Sequence, residues 1–205
     1  MRLIVVAVAW LACTAVAEEM PASQMTFAEV AAQLAAPAVL RGNFTQRREI
    51  AILQKPLLSS GYFILSDKGL YWRQDHPIAA LMIADNERLM QQIADGPLQD
   101  INTAENPVVL SFSKSFLSIF RGSETELREN FDLEFVTDVS DWTIHLTPIS
   151  YPMSAAIESI VLQGRQHIET ITVQSRSSEK TTIRFADLLT EPDRLSDNEL
   201  ELYAR

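Results

Sequence analysis

Between Val39 and Phe185 apolar side chains return repeatedly at every second position, a period that suits half-buried β-strands. The clearest stretches are Phe131, Leu133 and Phe135 against Asp132 and Glu134, then Trp142, Ile144 and Leu146 against Thr143, His145 and Thr147. Leu40, Gly42 and Phe44 alternate in the same way with Arg41, Asn43 and Thr45. Further strand-like runs cover Leu57 to Leu65, Leu70 to Arg73, Ala80 to Ala84, Arg88 to Ala94, Ile160 to Leu162, Ile168 to Val173 and Thr181 to Phe185. Turn chemistry separates them at Lys68-Gly69, Asp85-Asn86-Glu87, Gly96-Pro97, Gly164-Arg165 and Ser177-Ser178. Connections this short give a meandering, antiparallel sheet.

Two segments break the period. Thr26-Phe27-Ala28-Glu29 reads as a capping box, and Phe27, Val30, Ala31 and Leu34 then recur at helical spacing until about Ala36, where Pro37 ends the helix. A second helix is expected between Asn106, a suitable cap ahead of Pro107, and Gly122. Within it Phe112, Phe116 and Phe120 lie four apart and are joined by Val109, Leu117 and Ile119, while Ser111, Lys114, Ser115 and Ser118 give a more polar side. Such a face serves equally well as core packing or as a lid over an apolar cavity. The acidic tail after Glu191-Pro192 carries only Leu195, Leu200, Leu202 and Tyr203 as large apolar residues, which leaves an edge strand and a frayed end both open.

The ends and the composition narrow the function. Met1 and Arg2, the apolar run Leu3 to Ala12 and the small residues Ala15-Val16-Ala17 form a secretory signal peptide over residues 1–17, with a single domain over 18–205. The run is shorter than the roughly 18 apolar residues a membrane span needs. Export would leave no disulfide, thiolate nucleophile or cysteine metal ligand, because Cys13 is the only cysteine. Cys13 has a second reading as a lipid attachment site, although Trp10, Leu11 and Ala12 fit the usual Leu-small-small approach poorly. A formal net charge of −10 argues against nucleic acid as a partner and opposes non-specific adhesion to anionic membranes.

Catalytic patterns are absent. His76, His145 and His167 are far apart and make no His-Glu-x-x-His pair, Ser60-Gly61 lacks the leading glycine of a nucleophile elbow, and the six glycines form no phosphate-cradling loop. A paired-carboxylate site is left open by spacing but has no positive support. The expectation is therefore a protein with no catalytic residue, no metal and no cofactor.

In order along the chain stand Gly42-Asn43-Phe44-Thr45-Gln46, Lys55-Pro56-Leu57, Ser60-Gly61-Tyr62-Phe63 and Gly69-Leu70-Tyr71-Trp72-Arg73 with Pro77 beyond. Pro107 with the Phe112 to Phe120 segment, the strands at Phe131 and Trp142, and the Ile168 to Phe185 hairpin follow. This order resembles the bacterial outer-membrane lipoprotein carriers of the LolA family over nearly all of the chain beyond the signal segment. The resemblance implies a mainly β fold with some α, an incomplete antiparallel barrel of about eleven strands under a helical lid. It also implies a periplasmic monomer that shelters acyl chains of lipoproteins, receives them from an inner-membrane release complex and passes them to an outer-membrane acceptor. Related carriers of other acylated products, such as aryl-polyene lipids, and the membrane-anchored acceptor of the LolB type share the fold.

For the cavity the alternation nominates Phe44, Trp72, Leu81, Ile83, Leu89, Leu133, Phe135, Trp142 and Ile144, with Phe112 and Phe116 from the inserted helix. Where the family has a lid-latching arginine six residues before the tryptophan, this chain has Ser66, with Lys68 nearby. A lysine lacks the planar fork of donors that such a latch uses. Ser66 and Lys68 are the candidates for that position.

Overall fold

The computed structural model describes residues 25–85, 88–101, 117–119, 123–138 and 141–204. The signal segment, Asn106, Phe112, Phe116, Phe120 and Gly122 lie outside the described residues. Helix α1 (Phe27–Ala35) begins with the expected capping box, in which the Thr26 hydroxyl accepts from the Glu29 amide and the Glu29 carboxylate accepts from the Thr26 amide. Eleven strands follow in one antiparallel sheet: β1 (Leu40–Glu49), β2 (Leu57–Ser66), β3 (Gly69–His76), β4 (Ala80–Ala84), β5 (Leu89–Ile93), β6 (Gln99–Asp100), β7 (Phe131–Thr137), β8 (Trp142–Pro148), β9 (Ile157–Gly164), β10 (Ile168–Ser175) and β11 (Lys180–Leu189). Between β6 and β7 come helical residues 117–119 and helix α2 (Glu124–Asn130). Helix α3 (Met153–Ala156) joins β8 to β9, and α4 (Asp197–Tyr203) ends the described chain.

The spatial order is β6-β5-β4-β3-β2-β1-β11-β10-β9-β8-β7. Each strand pairs with its sequence neighbour, except that β1 takes up β11 and so joins two meanders into one sheet, with β6 and β7 at the free edges. The result is an incomplete antiparallel barrel. Both surfaces of the sheet carry apolar residues, but they are different in kind. The inner face presents Phe44, Phe63, Leu70, Ile144, Leu162 and Ile171 and is overlaid by α1, whose Val30 is buried. A smaller outer core gathers Val39, Ile64, Tyr71, Leu81, Ile83 and Met90.

Helix α4 covers that outer core. The tail is thus neither an edge strand nor a frayed end: Ser196 and Glu199 form a second capping box, and the helix lays Leu202 and Tyr203 on β2 to β4. Two contacts fasten it. The Tyr203 hydroxyl donates to the Ile64 carbonyl at 2.9 Å, and burial pushes its pKa up to about 12. The Arg41 guanidinium meets the Glu199 carboxylate through Nε at 2.6 Å and Nη2 at 3.0 Å, while Nη1 donates to the Pro192 carbonyl and Nη2 also to the Arg194 carbonyl, both at 2.9 Å. One side chain therefore ties the chain from residue 192 onward to β1.

That clasp has a pH signature. The Arg41 hydrogen bond holds Glu199 down from 4.5 to about 2, so the carboxylate contributes stability that is fully present above pH 4.5 and is lost as pH falls toward 2. With both side chains mostly buried, loss of the pair is worth roughly 2 kcal/mol. Arg41→Ala should lower stability in urea unfolding at neutral pH by about that amount, speed amide exchange over residues 192–203, and flatten the acid loss between pH 4.5 and 2. An unchanged acid limb in the variant would show that the pair contributes nothing. Gly61 offers a second check. A Cβ there would stand 1.9 Å from the Arg73 carbonyl oxygen, so Gly61→Ala must push β2 off β3 and should cost ~1–3 kcal/mol by the same unfolding measurement.

Candidate functional site: the inner apolar face

The inner face is built by register. In an antiparallel pair directly opposed residues share a face, so apolar positions line up in rows across the strands. One row runs Phe135, Ile144, Leu162, Ile171 and Ile183 from β7 to β11. A second runs Leu133, Leu146, Ile160 and Val173. On the other half, Phe63 opposes Trp72 and Trp72 opposes Met82, while Leu40, Leu65, Leu70, Ala84 and Leu89 make a parallel row.

The two halves meet in a cluster of rings. Phe44 of β1 stacks on Trp72 of β3 at 3.8 Å between centroids and 25° between planes. These strands are separated by β2, where the residue opposite Phe44 is Gly61. Phe185 of β11 meets Phe63 and Trp72 edge-on at 5.2 and 6.2 Å. Above the far half, Phe27 of α1 stands edge-on to Phe135 at 5.7 Å, and the Arg128 guanidinium of α2 lies 5.7 Å from the centre of the Phe27 ring. Leu117, Ile119 and Leu127 are buried in the same core, so the inserted segment reaches the inner face where it is described.

Burial divides the expected cavity residues. Phe44, Leu89, Trp142 and Ile144 are almost fully buried. Trp142 is an anchor: its indole N–H donates to the Arg165 carbonyl at 2.7 Å, and the Gln33 side chain of α1 donates to the same oxygen at 3.0 Å, which pins α1 over one end of the sheet. Trp72, Leu133 and Phe135 are only half-buried, and with them stand Met82 and Val173, which the sequence reading did not nominate.

Leu81 and Ile83 require a correction. Ile83 opposes Tyr71 and Leu81 opposes Arg73, which places both on the outer face in the core under Tyr203; Met82 is the β4 residue that faces Trp72. The run Ala80 to Ala84 is apolar at every position, so alternation could not tell its two faces apart. Ser66 is likewise on the outer side, where it is buried, and its side-chain oxygen accepts from the Lys68 amide at 3.2 Å. Lys68 is exposed in the β2–β3 turn with its ammonium 3.5 Å from Asp67. Neither residue faces the inner surface where a latch between strand and lid would act.

Polar chemistry does not gather on this face. His76 and His145 are exposed and His167 lies in the β9–β10 turn. Among the described residues no three His, Cys, Asp or Glu side chains come together as a metal site, and no helix is long and apolar enough to cross a membrane. A cleft of about 610 Å³ beside α1, lined by Gln33, Arg165, Gln166, His167, Glu169, Met25 and Leu188, is mixed in polarity and separate from the half-buried apolar set. The half-buried apolar side chains on this face leave apolar surface that a second apolar molecule can cover.

Several known proteins are similar to this chain. Among solved structures, a putative outer membrane lipoprotein-sorting protein domain from Vibrio parahaemolyticus is 10% identical at a TM-score of 0.49 and covers 87% of this chain and 97% of its own. A DUF1329 family protein from Desulfovibrio piger is 14% identical, with a TM-score of 0.47 and coverage of 83% and 92%. A LolA superfamily protein from Nitrosomonas europaea is 9% identical, with a TM-score of 0.38 and coverage of 84% and 94%. No curated protein matches the sequence. The model of the family described as outer membrane lipoprotein carrier protein LolA-like matches residues 20–187, and the chain belongs to that family.

Proposed function

We propose that the chain is a periplasmic carrier that shelters the acyl chains of lipoproteins against the inner face of its sheet and moves them from inner to outer membrane. The observation that carries the reading is the set of half-buried apolar side chains, Trp72, Met82, Leu133, Phe135 and Val173, on the inner face of an open sheet in a member of a lipoprotein-carrier family. The driving force is large. Each methylene withdrawn from water is worth about 0.8 kcal/mol, so a chain of about sixteen carbons needs shelter worth on the order of 10 kcal/mol to cross an aqueous compartment. In this reading residues 1–17 direct export and are removed after Ala17, the carrier works as a monomer with an inner-membrane donor and an outer-membrane acceptor, and no catalytic step occurs.

A second reading is a carrier of a different acylated product, such as an aryl-polyene lipid. The position of Ser66 favours it, since the family's latch position here faces α4 and not the inner surface. An anchored acceptor of the LolB type would require acylation at Cys13, which the mass and first residue of the exported protein decide.

With the protein produced from Glu18, a fluorescent fatty-acyl probe should bind, and native mass spectrometry should find an acylated species on protein recovered from cells. Phe135→Asp places a charge in the half-buried set and should weaken probe binding at least about tenfold, roughly the loss of two buried methylenes. Leu202→Ser on the outer face should leave it unchanged. Binding that Leu202→Ser weakens and Phe135→Asp does not would place the ligand elsewhere. Tryptophan emission gives an independent check: Trp72 is half-buried on the inner face whereas Trp142 is sealed at 1% exposure, so a bound acyl chain should shift emission in the native protein and not in Trp72→Phe.

A further inference from the structure

The two ends of the sheet differ in chemistry. At one end lie the β2–β3, β4–β5, β7–β8 and β9–β10 turns with Asp67, Asp85, Asp138 and Asp141 among Lys68, Arg88 and Arg165, and α1 is pinned across it by Gln33. At the other end β1 gives way to β2 beside Arg48 and Leu57, β3 to β4 near His76, β5 stops at Ile93 opposite Ala80, and β10 to β11 beyond Ser175. This second rim bears the large exposed apolar residues Ile52, Leu53, Leu57, Leu58, Ile78 and Tyr151, with Ile52 exposed to 90% at the tip of the β1–β2 hairpin and Tyr151 to 82%. Leu57 and Ile93 belong by register to the inner face, yet are 50% and 60% exposed. The inner apolar surface therefore emerges into solvent at this rim.

We infer that the β1–β2 hairpin docks the open rim on an anionic lipid surface, with Ile52 and Leu53 entering the acyl region and the neighbouring cations meeting lipid phosphates. Three observations favour lipid over a protein partner. The apolar residues are aliphatic and sit on a convex tip, which suits a fluid hydrocarbon that needs no complementary shape. Tyr151 on the same rim has the amphipathic ring that settles at headgroup level. In a chain of net charge −10, this hairpin and the adjoining β10–β11 turn carry Arg47, Arg48, Lys55, Arg176 and Lys180. Glu49 and Glu179 pair with Arg47 and Arg48 at 2.9 and 2.6 Å, but both pairs are half-exposed or nearly so, and such pairs exchange readily for phosphate. For a carrier, that docking presents the inner face where acyl chains leave or enter a bilayer; this deepens the proposed function and rests on it for its purpose, though not for its test.

The test is flotation of the protein from Glu18 with vesicles of phosphatidylglycerol and phosphatidylethanolamine, against vesicles of phosphatidylcholine alone, with fatty-acyl probe binding measured alongside. Native protein should float with the anionic vesicles and much less with the neutral ones, and added salt should release it. The double variant Ile52→Asp, Leu53→Asp should reduce vesicle partitioning at least about tenfold while keeping its acyl-probe affinity. Val136→Asp, an exposed aliphatic on β7 outside the rim, should float like the native protein. Native protein that stays free of anionic vesicles, or a hairpin variant that floats as well as the native protein, would overturn the docking proposal. Native protein that floats but takes up no acyl probe would leave the docking in place and overturn the carrier reading.

Discussion

Register across an unbroken antiparallel sheet is the constraint on which the rest of this structure depends. Because opposed residues share a face, the inward choice made by Phe135 on β7 is handed through Ile144, Leu162 and Ile171 to Ile183 on β11, and the β1–β11 pairing passes it on to Phe44. A slip of one residue anywhere would turn every following apolar side chain to the wrong surface. Phe185 of β11, opposed to Phe44 and edge-on to Phe63 and Trp72, crosses the junction between the two meanders and ties the rows of the two halves together.

The two faces then do different work. The outer core under α4 is closed by a buried tyrosine and a two-donor ion pair, an arrangement that favours one fixed packing. Its partners are hydrogen-bonded and its apolar residues are mostly sealed. The inner face pairs sealed residues such as Phe44 and Trp142 with half-open ones such as Trp72 and Phe135. Apolar surface that a folded chain leaves half-open is surface that another apolar molecule can cover.

Much of this was legible in the sequence, and the exceptions have physical causes. β7 and β8 alternate strictly, so Phe131, Leu133, Phe135, Trp142 and Ile144 declare both strand and face, and the Thr26–Glu29 capping box declares the start of α1. β4 does not alternate, which is why Leu81 and Ile83 were assigned to the face that Met82 occupies. The Ser196–Glu199 capping box was available in the same way as the first, yet the short apolar content of the tail hid it, because α4 is stabilised by contacts with strands far away in sequence. The Arg41–Glu199 pair spans 158 residues and leaves no local trace. The openness of the rim at Leu57 and Ile93 depends on where strands end relative to one another, which only the assembled register decides.

The central claim is that an acyl chain lies on the inner face, and photocrosslinking tests it most directly. A fatty acid carrying a diazirine in its chain would be bound to the protein, irradiated, and the labelled positions read by peptide mass spectrometry. The account predicts adducts at Trp72, Met82, Leu133 and Phe135, inner-face residues of strands that are far apart in the sheet order. Adducts at Tyr71, Leu81 or Tyr203 on the outer core, or labelling confined to the exposed hairpin, would contradict it.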